Sequence, residues 1–313
     1  VCLLRLLLEA APGLNMRVEC AHFNHCLRGA ESDRDEAFVR SLCARLGVPA
    51  HFGRGDVAAF ARENGLGTEE AARRLRYDFL ERTADERGAA AIATAHTADD
   101  NAETMLLNLA RGAGLRGLCG IPERRGRIIR PILGLTREEV EALLAEHGEE
   151  HVEDSTNAAD DYARNRIRHH AVPALESVNP EFIRAARRAA ALLRRDEEFL
   201  DGLARDFVEK HPEGLPCREL CELPLPVSSR ALRLASGASL SEAHVAAALS
   251  LARGEGQGSL DLPGVRLRRE LGRLRFGAES PAELPERALL PGGETPLPEA
   301  GLTLRCSYTV YSD

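Results

Sequence analysis

The stretch Ala89–Gly120, AAAIATAHTADDNAETMLLNLARGAGLRGLCG, decides the reading of this 313-residue chain. Its opening, Ala89 to Ala95, is a short apolar run that suits a strand buried on both faces of a parallel sheet. From Thr97 onward Ala102, Met105, Leu106 and Leu109 recur at helical spacing, and Thr97 and Asp100 stand three apart as a helix-starting cap requires. The strand therefore runs straight into a helix. The joint carries His96, Asp99, Asp100 and Glu103, at the carboxyl end of a strand, where open α/β sheets bind ligands. One or two acidic residues in a first turn also complement the helix dipole. Two adjacent aspartates behind a histidine, followed by the glycine-rich exit Arg111, Gly112, Gly114, Gly117 and Gly120, point instead to a functional site.

Working outward, strand alternates with helix. Val1 to Ala11 reads as an apolar helix with no strand ahead of it. Met16 to Phe23 reads as a buried strand delivering His22, Asn24, His25 and Arg28 to its carboxyl end. Ser32 with Asp35 starts a helix through Leu46, Val48 to Phe52 is a short strand, Asp56 caps a helix to Asn64, and Glu69 to Arg87 is a longer helix. Arg127 to Leu133 reads as a strand, and Thr136 with Glu139 opens a helix to His147. The pattern is that of an α/β fold with a doubly wound, mostly parallel sheet.

The second half differs. Pro180, behind Asn179, starts a long helix to Lys210. Leu223 to Gly237 and Ser239 to Arg253 read as helices, the second with a capping box from Ser239 to Glu242. Ser259 to Phe276 reads as a small β-meander turning at Pro263-Gly264 and Gly272. Past Ser280 proline becomes frequent, and Leu302 to Val310 reads as a strand. These shifts divide the chain into 1–175, a catalytic α/β domain, 176–280, a mainly helical domain with the meander, and 281–313, the start of a further domain.

Composition narrows the function. No apolar run approaches the roughly 20 residues that span a bilayer. The eight cysteines are scattered without a disulfide or zinc frame, which suits a reducing cytoplasm. Net charge is −8, against a nucleic-acid partner if taken alone. Its distribution argues otherwise: Arg164, Arg166, Arg168, Arg184, Arg187, Arg188, Arg194 and Arg195 crowd one stretch, and a second basic run spans Arg266 to Arg275. Arg164 and Arg168, four apart, can share a helix face, and they follow the polar segment Glu153 to Asn157, read as a loop.

His96 to Thr104 (HTADDNAET) with Leu109 to Leu118 (LARGAGLRGL), His22 to Gly29 (HFNHCLRG), and the arginine-rich run after Asp154-Ser155-Thr156-Asn157 resemble the corresponding segments of tRNA(Ile)-lysidine synthetases, members of the PP-loop, or N-type ATP pyrophosphatase, group with a Rossmann-like sheet. The resemblance implies an ATP-dependent ligase that joins L-lysine to C2 of the wobble cytidine of the CAU-anticodon tRNA(Ile) through an adenylated intermediate, with Mg²⁺. It implies catalytic roles for Asp99, Asp100, Arg164 and Arg168, the two aspartates also holding Mg²⁺ or the lysine ammonium. His22, Asn24, His96, Arg111 and Gly112 are expected to line the ATP site. Arg166, Arg184, Arg187, Arg188, Arg194 and Arg195 are expected to meet tRNA phosphates, those on the long helix with their charges facing outward. Arg73, Arg74 and Arg76 receive no sharper role than surface charge or RNA backbone contact.

The group's S-G-G-x-D-S phosphate loop is not among residues 1–313. The chain is expected to begin just after it and, as it stands, to bind ATP poorly. Two other readings are a tRNA thiolase of the same superfamily, which usually carries CxxC pairs absent here, and a tRNA-binding homologue without catalysis. A homodimer is left open.

Overall fold

The computed structural model describes residues 1–149, 163–277, 288–290, 292–297 and 302–307. It divides into two compact units, Val1–Glu197 and Glu198–Asp313.

The first unit contains α1 (Cys2–Leu14), β1 (Cys20–Asn24), α2 (Ala30–Leu46), β2 (Ala50–Arg54), α3 (Val57–Asn64), α4 (Thr68–Arg87), β3 (Ile92–Ala93), α5 (Ala98–Ala110), α6 (Leu115–Leu118), β4 (Arg124–Arg125), β5 (Ile128–Ile129), α7 (Arg137–Glu146), α8 (Ala163–Arg166), a π-helical turn (Ile167–Ala171) and α9 (Val172–Val178). Residues up to Glu197 of α10 (Phe182–Glu209) also belong to it. β1 and β2 pair in parallel, from Cys20 opposite Ala50 to Asn24 opposite Arg54. β3 and β5 are also parallel, and β4 folds back on β5 as an antiparallel hairpin turning at Gly126. Both parallel pairs are joined through helices, as the strand–helix alternation predicts.

The predicted seven-residue strand Ala89–Ala95 shortens to Ile92–Ala93, although Thr94 N still donates to Ile129 O at 3.0 Å. Alanine has little side chain to pack on a pleated surface, so the ladder holds only around the isoleucine. The first strand begins at Cys20 rather than Met16. The helix predicted from Ser32 starts earlier, with Gly29 at its cap and Ser32 Oγ accepting from Arg28 N at 3.3 Å.

α5 sits at the centre of this unit because its first turn is made small on one side. Ala98 and Ala102 are 1% and 0% exposed and pack with Ile183 and Ala186 of α10, so the two helices approach closely. Elsewhere in the unit the buried carboxylate of Glu149 is held by Arg5 of α1 and, at 3.1 and 2.5 Å, by Arg45 of α2.

The second unit holds β6 (Leu215–Pro216), α11 (Cys217–Glu222), α12 (Leu225–Ser236), α13 (Glu242–Arg253), β7 (Gly258–Leu262), β8 (Val265–Glu270), β9 (Arg273–Gly277), β10 (Glu294–Leu297) and β11 (Leu302–Arg305). The meander turns at Gly264 and Gly272, whose φ values of 74° and 72° are the left-handed ones glycine supplies without strain. β6 completes an antiparallel sheet in the order β6-β9-β8-β7, and β10 pairs with β11. Leu220, Leu232, Leu267 and Leu274, all 0% exposed, form its core, each contributing about 2 kcal/mol of burial. α13 is capped by Ser241 with His244, not by the predicted Ser239 with Glu242, because the chain enters the helix two residues later.

Candidate active site

Thr97 and Asp100 cap α5 reciprocally: Asp100 N donates to Thr97 Oγ1 at 3.4 Å, and Thr97 N to Asp100 Oδ2 at 2.8 Å. The other oxygen of Asp100 faces Arg164, whose Nη2 lies 2.9 Å away. One turn along, Glu103 is 2% exposed and receives Arg164 Nε at 2.7 Å, Arg168 Nε at 2.6 Å and Arg168 Nη2 at 3.1 Å. A carboxylate this deep is tenable only with its oxygens bonded and its charge matched. Arg164 ends in α8 and Arg168 in the π-helical turn that follows, and a π turn in a helix frequently marks a functional site. Two carboxylates and two guanidiniums thus form one cluster at the carboxyl end of β3. Burial works against the charge on Arg168, but its bonds to Glu103 together with the charges of Glu103, Asp100 and Asp99 outweigh it and hold its pKa raised.

Asp99 takes a different direction. Its Oδ2 accepts from Arg137 N at 2.7 Å, so it complements the start of α7. Adjacent helical residues point about 100° apart, which is why two neighbouring aspartates serve different partners. Asp99 is still near enough to Arg168 for its charge to be felt there.

His96 Nδ1 lies 3.0 Å from Thr94 Oγ1. Burial lowers its pKa to about 4, with Asp100 opposing and Arg130, Arg164 and Arg76 adding to the shift. The imidazole is therefore neutral at pH 7. At the end of β1, Asn24 is 2% exposed and committed to the protein: its Nδ2 donates to Ser32 O at 3.3 Å, Asp33 Oδ1 at 3.2 Å and Glu36 Oε2 at 3.1 Å, and its Oδ1 accepts from Cys26 N at 2.9 Å. It ties the strand end to α2 at the wall of the cleft that His22 also lines. His22 lies half-buried, its pKa lowered by burial. It lines a cleft of about 420 Å³ with His25, Arg28, Asp35, Arg76 and Leu80.

Arg76 is the residue whose role the sequence reading missed. It is half-buried in that cleft, burial lowers its pKa, and its charge reaches His96. Arg73 and Arg74 stay exposed, lying 4.8 Å over Tyr77 and 5.9 Å over Phe60. Glu103, recognised in the sequence as part of the joint but given no role, is the hub of the cluster.

Other expected residues are not brought together. Arg111 and Gly112 follow the far end of α5, and a 13-residue helix separates them from Asp99 by roughly 20 Å. Gly120 serves packing: with φ at 70°, any Cβ there would collide with Asn101 Oδ1, which accepts from Ile121 N at 2.6 Å. Arg166 is exposed. The long-helix arginines split in two. Arg184 reaches Glu139 at 3.2 Å and Glu181 at 2.9 Å, Arg187 bonds Gly134 O, and Arg194 donates to Cys119 O at 3.0 Å and Ile121 O at 2.9 Å. These three bond within their own unit, yet Arg187 stays exposed and the Arg184 side chain is 42% exposed, so Arg194, at 21%, is the one that departs most from the outward-facing expectation. Arg188 and Arg195 are exposed, with no hydrogen bond or ion pair among the described residues. The polar segment Glu153 to Asn157 lies outside the described residues.

Among the described residues no group of three His, Cys, Asp or Glu converges to hold a metal, and no helix is long and apolar enough to cross a membrane.

Residues 1–175 match the model of the PP-loop domain family. Across 317 aligned residues the chain is 36% identical to the tRNA(Ile)-lysidine synthase of Geobacillus kaustophilus, covering 93% of this chain and 68% of that protein. The synthase of that name from Bacteroides thetaiotaomicron is 46% identical over 58% of this chain and 41% of its own length. The one from Chlorobaculum tepidum is 42% identical over 68% and 64%. Among solved structures, the U34-tRNA thiolase NcsA of Methanococcus maripaludis aligns with a TM-score of 0.49 and 17% identity, over 62% of this chain and 67% of that one.

Proposed function

Because this chain belongs to the tRNA(Ile)-lysidine synthase family of PP-loop proteins, we propose that it takes part in ATP-dependent attachment of L-lysine to C2 of the wobble cytidine in a CAU-anticodon isoleucine tRNA. In the first step the cytosine O2 attacks the α-phosphorus of ATP, the bond to the β-phosphate oxygen breaks, and pyrophosphate leaves. In the second the lysine amine attacks C2, the C2–O bond breaks, the amine loses a proton, and AMP leaves.

The observation that carries this reading is the four-charge cluster of Asp100, Glu103, Arg164 and Arg168. Two carboxylates face two guanidiniums in it, so each can exchange partners: an incoming phosphate takes the guanidiniums, and the lysine ammonium takes the carboxylates. Arg164 and Arg168, held rigidly by two carboxylates, are pre-oriented toward charge that develops on the α-phosphate. His96, with its pKa near 4, is too weak a base to take the amine proton at neutral pH and serves as a neutral hydrogen-bonding wall. His22 and Arg76 line the neighbouring cleft and fit the nucleotide. The wobble base reaches the site unstacked from its loop.

Hard oxygen donors suit Mg²⁺, and Asp99 retains an oxygen with no partner among the described residues, so it is the residue to hold the ion beside the phosphates. The ion would supply neutralisation of charge on the departing pyrophosphate. Asp100 is already spent on its cap and on Arg164. The exposure of Arg188 and Arg195 supports contact with RNA phosphate, and the cytoplasm fits this activity.

Labelled lysine, ATP and a CAU-anticodon transcript test the reading. The expected product is one lysine per tRNA, on the wobble cytidine, with one AMP and one pyrophosphate released. Modification of another base, or ATP turnover indifferent to lysine, would overturn it.

A further inference from the structure

We propose that the cleft between β5 and the first part of α10 is a second oxyanion site, specific for a phosphate group and built by Arg130, Arg187 and Arg194. It encloses about 670 Å³, within the range of small-ligand pockets, and Asn101 places it against the first turn of α5 on a face adjoining that of Asp100.

Charge in this cleft is uncompensated. Arg130 is 6% exposed and donates Nη1 to Pro122 O at 2.6 Å, while its Nε is buried without a hydrogen-bond partner. No carboxylate pairs with it among the described residues, although a guanidinium at that depth is normally matched by one. Arg187 is fixed by Gly134 O, and Arg194 by Cys119 O and Ile121 O. Carbonyls orient a guanidinium without cancelling its charge. Among the described residues the one acid lining the cleft is Glu123, 3.4 Å from Arg194 with a side chain 78% exposed, a contact too solvated to count for much. Three guanidiniums therefore converge on one cavity with their charge intact. Three forks match the three or four acceptor oxygens of a phosphate better than the two of a carboxylate. The phosphate could come from a free ester or from an RNA backbone, and the inference holds independently of the reaction proposed above.

Binding of inorganic pyrophosphate by calorimetry, and of an anticodon stem-loop RNA across several salt concentrations, should be measured on the 313-residue chain and on Arg187→Gln, Arg194→Gln and Arg218→Gln. Arg130→Lys is the fourth variant, with Arg187→Gln, at an exposed position, keeping the test decisive if Arg130→Lys misfolds. Arg187→Gln and Arg194→Gln should each weaken binding roughly tenfold while the Arg218→Gln control leaves it unchanged. Loss with pyrophosphate identifies a small free phosphate compound rather than the RNA backbone. Loss with RNA alone, with the salt slope falling by about 0.7 to 0.9 per arginine, identifies the backbone. Unchanged affinity for both probes, or no measurable binding of either, would overturn the proposal. Because the readout is binding, it fails or succeeds apart from lysine-dependent AMP release.

Discussion

Arg164 and Arg168 stand within thirty residues of Arg187 and Arg194, in one arginine-rich stretch, yet the structure uses them oppositely. The first pair is bound to carboxylates, Glu103 and Asp100, so its charge is matched in a cluster built on the buried Glu103. The second pair is bound chiefly to main-chain carbonyls, so its geometry is fixed and its charge survives. What a basic residue can do for a ligand depends on whether its partner carries a charge. The paired arginines can trade one anion for another, whereas those on carbonyls attract one outright.

The comparison breaks first at Glu103. Glu103→Gln leaves two guanidiniums facing a neutral amide, and the fold should lose about 3 kcal/mol or more, read from urea denaturation. A loss under about 1 kcal/mol would mean that the cluster is solvated and its pairing unimportant. Next, Arg164→Ala and Arg168→Ala should each lower turnover at saturating tRNA by about 10²-fold with little change in tRNA affinity. Weakened tRNA binding at unchanged turnover would reassign them to RNA grip.

A smaller effect separates the two faces of α10. Arg194→Ala removes two carbonyl bonds and should cost about 1 to 2 kcal/mol of stability. Arg188→Ala and Arg195→Ala should leave stability within about 0.5 kcal/mol and lower the salt slope of tRNA binding by about 0.7 to 0.9 each. Equal stability losses across all three would erase the distinction.

The smallest effect is in pH dependence. The folded pKa of His96 is about 4 against an ordinary 6.5, so between those values the unfolded chain binds the extra proton. The contribution of a neutral His96 is full above pH 6.5 and is lost as pH falls toward 4. His96→Asn should therefore flatten the decline of stability between pH 7 and pH 5. An unchanged slope would show that the histidine is open to water.

Local chemistry was legible and distant pairing was not. The capping pairs Thr97–Asp100 and Thr136–Glu139, the Asp56 cap and both glycine turns of the meander depend on residues two to four apart, and all form where the spacing puts them. Glu103 meets its arginines across 61 and 65 residues, and Asp99 meets Arg137 across 38, which no local pattern encodes. Two misses did have a signal. Arg76 falls four after Ala72 and four before Leu80, inside the apolar stripe of α4, whereas Arg73 and Arg74 fall outside it. Likewise Arg187 and Arg194 lie about 20° apart around a helix and about 80° to 120° from Arg188 and Arg195, so helical geometry separates those two pairs, whereas Arg184 falls about 20° to 40° from the second pair and is drawn aside only by Glu139 and Glu181.

The central claim is that the Asp100–Glu103–Arg164–Arg168 cluster is where lysine and the adenylated base meet. Lysine-dependent AMP release by Asp100→Asn, at saturating ATP and tRNA, tests it most directly, since the substitution removes a charge and keeps the shape. The account predicts a fall of about 10²-fold in turnover, with the fold intact and tRNA affinity and salt slope unchanged. Turnover near that of the unaltered protein would contradict it and leave Asp100 as no more than the cap of α5.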